Sequence, residues 1–258
     1  MRIFTCFAAI TLLSAPVFGQ QKAAVQPDPR LFELRTYHAM PGKLDKLLAR
    51  FRDHTTRLFE KHGMTNIGYW VPVDNTDNIL VYLLAYPDRA ARDASWKGFS
   101  ADEDWKKVAA ASEVDGKIVG KVDQQFLTAT AFSPGFGTTA NGVERLFEMR
   151  TYTTTAGNLP ALHNRFRSHT MDLFRNHGMT NLGYFQPVAG QPVADDTLLY
   201  FLAHKDAASA DESWKGFRSD PAWLAVKKAS EDAAGGSLTV PDGVKSIFLK
   251  PIDFSPVR

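Results

Sequence analysis

Glu33, Arg35 and Tyr37 alternate with apolar neighbours in Leu31-Phe32-Glu33-Leu34-Arg35-Thr36-Tyr37. The same three types return 115 positions later as Glu148, Arg150 and Tyr152 in Leu146-Phe147-Glu148-Met149-Arg150-Thr151-Tyr152. A carboxylate, a guanidinium and a phenol on one face of a strand can bind a polar or anionic molecule, and crowding can tune a carboxylate into a general acid or base. The same residues can equally form a structural ion pair, since arginine–carboxylate pairs routinely hold interfaces together. Tyr69 and Tyr184 join the set. Each lies beside another aromatic residue (Trp70, Phe185) in a strand where neighbours face opposite ways, so one of each pair should face inward.

These residues sit in a duplication. Across 31–72 and 146–187, 24 of 42 aligned positions are identical, and His62-Gly63-Met64-Thr65-Asn66 returns as His177-Gly178-Met179-Thr180-Asn181. The chain therefore divides into a signal peptide at 1–19, a flexible leader at 20–29, a first domain at 30–132, a linker at 133–143 and a second domain at 144–258. Arg2, the apolar run Ile3 to Val17 and the small-residue pattern Val17-Phe18-Gly19 read as a cleaved secretory signal, which predicts export to the periplasm or beyond. After cleavage no stable membrane insertion is expected. The single cysteine, Cys6, falls inside the signal, so the mature chain has no disulfide, thiolate metal site or cysteine nucleophile.

With 44% hydrophobic and 22% charged residues the composition is that of a globular protein. Net charge is +2 with the cations scattered among acids, which gives no nucleic-acid footprint.

Within a unit the pattern predicts strand 31–37, a helix from Leu44 to His62 closed by Gly63, strand 65–71, a turn, strand 79–86, a helix over 93–110 broken near 98–101, and strand 122–129. That order, βαββαβ twice, is the split-βαβ, ferredoxin-like arrangement: an α+β fold with both helices on one face of an antiparallel sheet. In Ile79-Leu80-Val81-Tyr82-Leu83-Leu84-Ala85 both alternating sets are apolar, so the second face must be covered too. The other repeat's sheet is the available cover, giving a pseudo-twofold α/β barrel. With Phe32, Leu34 and Thr36 taken to meet the helices, Glu33, Arg35, Tyr37 and their twins should line the barrel lumen.

The strand Phe32–Tyr37, Gly42, the helix ending His62-Gly63, the strand from Asn66 to Trp70 and Ser95-Trp96-Lys97-Gly98-Phe99 (again at 213–217) resemble NIPSNAP-family domains over both repeats. The resemblance implies the dimeric α/β-barrel superfamily, whose members pair ferredoxin-like units around a central cavity. It implies no defined reaction.

Other residues carry less. His54 and His169 read as packing histidines at the edge of a helix face, because no second ligand lies three or four residues away. His62 and His177 read as helix-terminus residues. Trp96, Phe99 and Trp105, with Trp214, Phe217 and Trp223, have core-forming helical spacing. No phosphate loop, nucleophile elbow or acidic metal cluster is present, so no cofactor or metal is expected. A haem variant would need His204, the strand histidine whose counterpart is Tyr86, to reach the lumen.

Three functions remain open: an exported binder of a small, partly apolar or anionic molecule in the lumen; a cofactor-independent, monooxygenase-like enzyme; and a structural module whose lumen is filled by its own side chains. Homo-oligomerisation is compatible with each.

Overall fold

The computed structural model describes residues 27–136 and 144–258. The expected signal peptide, most of the expected leader and most of the expected linker lie outside the described residues.

The first unit runs β1 (Leu31–Ala39), α1 (Leu44–Arg50), a π-helical turn (Phe51–Thr55), α2 (Thr56–Lys61), β2 (Thr65–Pro72), β3 (Ile79–Tyr86), α3 (Arg89–Ala101), α4 (Glu103–Ser112) and β4 (Val119–Ala129). The second repeats it as β5 (Leu146–Thr154), α5 (Leu159–Arg165), a π turn (Phe166–Thr170), α6 (Met171–Asn176), β6 (Thr180–Pro187), β7 (Thr197–His204), α7 (Ala207–Ser219), α8 (Pro221–Ala234) and β8 (Thr239–Pro251). Asp102 makes the expected break in the second helix by capping α4, its carboxylate accepting from Asp104 N–H at 2.8 Å.

The eight strands close into one barrel in the order β1-β3-β2-β8-β5-β7-β6-β4, with β4 returning to β1. Each unit lends its last strand to the other: β4 pairs with β6 and β8 with β2. The echoed tails extend this exchange. Ser133 Oγ accepts from Tyr184 N–H and Ser255 Oγ from Tyr69 N–H, both at 2.9 Å. Phe132 packs on Tyr184, and Phe254 on Tyr69.

Burial sorts strand residues by parity. Val81, Leu83 and Ala85 of β3 face the lumen, whereas Leu80, Tyr82, Leu84 and Tyr86 face the helices. The lumen is packed solid with rings: Trp70 lies 5.5 Å from Phe201 and 5.7 Å from Phe147, and Phe32 lies 4.9 Å from Phe185. Gly68 makes room for this. A Cβ there would come within 2.2 Å of the Trp70 ring, so the strand can carry only hydrogen at that position.

The π turns change one sequence reading. Each adds a residue to a helical turn and is tied by a threonine, Thr55 Oγ1 to Arg50 O (3.1 Å) and Thr170 Oγ1 to Arg165 O (3.2 Å). The added residue rotates the helix face, so Thr55 and Thr170 are buried while His54 and His169 stand in solvent, contrary to the packing role expected for those histidines. His62 and His177 do sit at helix ends, where each ring bonds the residue capping its unit's last helix (Asp102 of α4 at 2.7 Å, Asp220 of α8 at 2.8 Å).

Candidate functional site

The opening strand lies in the opposite sense to the sequence expectation. Phe32 and Leu34 point into the lumen, and Glu33, Arg35 and Tyr37 point outward beneath the helices. Glu148, Arg150 and Tyr152 do the same in the second unit, and Tyr69 and Tyr184 also lie on the helix side while Trp70 and Phe185 fill the lumen. None of the eight residues expected in the lumen is there. The physical reason is dryness. The lumen is lined by apolar side chains and offers a carboxylate little beyond the Trp70 indole, whereas the sheet–helix layer supplies several donors from the helices.

Glu33 shows what that layer provides. It is fully buried and accepts five hydrogen bonds. Arg35 Nη1 donates at 2.5 Å, Arg92 donates twice at 2.8 and 3.0 Å, Tyr86 hydroxyl at 2.9 Å and the Trp96 indole at 3.1 Å. Arg35 also bonds Tyr82 and Gln124 and stacks 4.3 Å from the Trp96 ring. Burial alone would raise the Glu33 carboxyl, but the Arg92 hydrogen bond and the two guanidinium charges outweigh it and hold it below its ordinary value. A depressed carboxyl stabilises the fold above its unfolded-state value of about 4.3 and loses that contribution as pH falls through the folded-state value. The stability gap between wild type and Glu33→Gln should therefore be full at pH 7 and shrink below about pH 4, as read by thermal unfolding across pH; a gap constant down to pH 2 would contradict it.

The second unit keeps the frame and loses several parts. Glu148 accepts from Arg150 (2.5 Å), His204 Nε2 (3.0 Å) and the Trp214 indole (2.8 Å). His204 replaces Tyr86 and is fully buried in this layer, away from the lumen a haem ligand would have to reach. Ala207 and Ala210 stand where α3 carries Arg89 and Arg92. In the first unit those arginines cover Phe126, at 4.1 and 5.0 Å from the ring, and leave it buried. Gln191 completes the cover by clamping the Phe126 backbone, with bonds of 2.9 and 2.6 Å. Phe248, the twin of Phe126, has no such cover and is half-buried.

A cavity of about 660 Å³ opens there, at the seam between the units. Its apolar wall includes Phe248, Ile247, Leu146 and Pro72; Ala207 and Asp211 of α7 and Arg145 also line it, and Asp74, Glu144, Lys205, Asp206 and Lys250 add both signs of charge to its lining. That volume suits a small organic molecule. Arg145 is half-buried and burial lowers its ordinary pKa. It donates to Thr180 Oγ1 (2.5 Å) and Ala203 O (3.2 Å) and meets no carboxylate among the described residues. Segments 1–26 and 137–143 contain no Asp or Glu. Its twin, Arg30, is held by Asp28 through three hydrogen bonds of 2.7 to 3.1 Å. Sequence reasoning missed Arg92, Arg145 and Phe248; the available signal was the exchange of Arg89 and Arg92 for alanines between the repeats. Among the described residues no cluster of His, Cys, Asp and Glu could hold a metal ion, and no helix is long and apolar enough to cross a membrane.

Two ferredoxin-like units sharing strands around a filled lumen define a tandem form of the dimeric α/β barrel. The NIPSNAP family profile matches residues 32–134 and 147–256, and the chain belongs to the NIPSNAP family. Among solved structures it is similar to a candidate monooxygenase from Fusobacterium nucleatum (11% identity, 89% of this chain and 94% of that one, TM-score 0.57). It is similar also to an anthrone oxidase-like protein (11% identity, 90% and 95%, TM-score 0.55). A NIPSNAP domain protein from Burkholderia xenovorans aligns at 27% identity over 40% of this chain and 98% of that one, with a TM-score of 0.36. No match is found among curated protein sequences. At 11% identity the two full-length likenesses establish the fold and no activity.

Proposed function

We propose that this is an exported binding protein which takes a small, partly apolar carboxylate in the seam cavity of its second unit. The carrying observation is Arg145, a half-buried guanidinium that meets no carboxylate among the described residues and lines the same cavity as the half-buried Phe248. A buried cation without a counter-ion costs stability, so an anion that neutralises it gains by doing so. The lumen is occupied by Trp70, Phe147, Phe185 and Phe201 and does not serve as the site. Titration with 3-phenylpropanoate should show saturable binding. Ala207→Arg, which puts back the side chain that closes the first unit, should weaken that binding at least tenfold with the fold intact; unchanged affinity would refute the site.

Support for export is the apolar run Ile3 to Val17 behind Arg2 and the small-residue pattern Val17-Phe18-Gly19. Intact-mass measurement of protein recovered from a periplasmic or culture fraction should give a chain starting near Gln20, and a cytoplasmic chain retaining Met1 would reject this.

The second reading is cofactor-independent oxidation of the bound molecule; of the two full-length structural relatives, one is described as a monooxygenase and the other as anthrone oxidase-like. One local feature favours it. His204 and Glu148 form a histidine–carboxylate pair, 3.0 Å apart, in the second unit, where the first has a tyrosine. Oxygen uptake with an electron-rich phenol, lost on His204→Tyr, would establish it, and binding without uptake would reject it.

A further inference from the structure

The duplication shows what chemistry is missing from the seam cavity, because the first unit supplies it from its own side chains. Two charges at the cavity have lost the partner that their twins keep. Asp93, the twin of Asp211, is bridged by Arg89 at 3.2 Å and Arg92 at 3.1 Å. With Ala207 and Ala210 in those places, Asp211 forms no ion pair among the described residues. Arg30 is neutralised by Asp28, whereas the position equivalent to Asp28 is Val143 in the sequence. A ring lining the same cavity has changed state as well. Phe126 carries a guanidinium stacked 4.1 Å from its centre, and Phe248 carries none among the described residues.

We propose that the occupant of this cavity is a zwitterion of amino-acid type, with a guanidinium or amine over Phe248 beside Asp211, an aliphatic spacer, and a carboxylate on Arg145. The inference rests on the reading of the seam cavity as the ligand site and adds the cationic half. A guanidinium on an aromatic face next to a carboxylate is the arrangement Arg89 already makes in the first unit. A carboxylate on an arginine is the arrangement Arg30 makes with Asp28. The cavity thus presents the first unit's two charge sites with their internal occupants removed. Its volume of about 660 Å³ accommodates a spacer between them.

Calorimetric titration of the whole chain with 4-guanidinobutyrate, hexanoate and butylguanidine separates the claims. The zwitterion is expected to bind roughly tenfold more tightly than either half-molecule, since each half forfeits one ion pair with its stacking or charge-assisted bonds. Asp211→Asn should reduce 4-guanidinobutyrate to the affinity of hexanoate and leave hexanoate unchanged. Arg145→Gln should abolish hexanoate binding. If hexanoate equals 4-guanidinobutyrate in the wild type, or Asp211→Asn changes neither, the zwitterion is overturned while the carboxylate site stands. If Arg145→Gln leaves hexanoate binding intact, or none of the three binds, the carboxylate site falls and the zwitterion with it.

Discussion

Glu33→Gln is expected to destabilise the protein by about 3–5 kcal/mol, the cost of removing one partner from a buried ion pair. Two guanidinium groups converge on that carboxylate inside the sheet–helix layer, together with a phenol and an indole N–H. Glutamine removes the charge that both cations need and turns an N–H₂ toward groups that are themselves donors. Glu148→Gln should cost about 1–2 kcal/mol less, because a single histidine nitrogen stands in place of the two hydrogen bonds a second arginine makes to Glu33. Shifts in the urea midpoint measure both. Equal losses in the two variants would mean that Arg92 contributes nothing, and a loss below about 1 kcal/mol at Glu33 would make the cluster a solvated surface pair.

Trp70→Ala should be of similar size, about 3–5 kcal/mol, through lost transfer energy and the cavity left in the lumen. Trp70 is fully buried and packed against rings from the other unit, Phe147 and Phe201, so it joins the two halves as well as filling the barrel. The same unfolding experiment checks it. A loss under about 1 kcal/mol would mean that the lumen is loosely filled and could admit a ligand.

Element order, the doubled unit and barrel closure were legible in the sequence because they rest on periodicity and on β3 being apolar on both faces. Strand parity was not. Alternation in β1 separates Phe32 and Leu34 from Glu33 and Arg35 but does not say which set faces the helices, and both choices bury apolar groups. The deciding information was in α3: Arg92 and Trp96 supply donors for Glu33, and neither bears on β1 until the helix is laid over the sheet. The histidines failed for a related reason. A π turn inserts one residue into the helical phase, and its mark, Thr55 and Thr170 bonding back five residues, is invisible to a count based on 3.6. The cavity is written in what the second repeat lacks, two arginines and an aspartate, so it could be seen only by asking what each twin side chain touches.

The most direct test is the crystal structure of the protein bound to 3-phenylpropanoate. Density with the carboxylate on Arg145 and the ring against Phe248 is the predicted result. Density inside the barrel, with Trp70 and Phe147 displaced around it, would contradict the account.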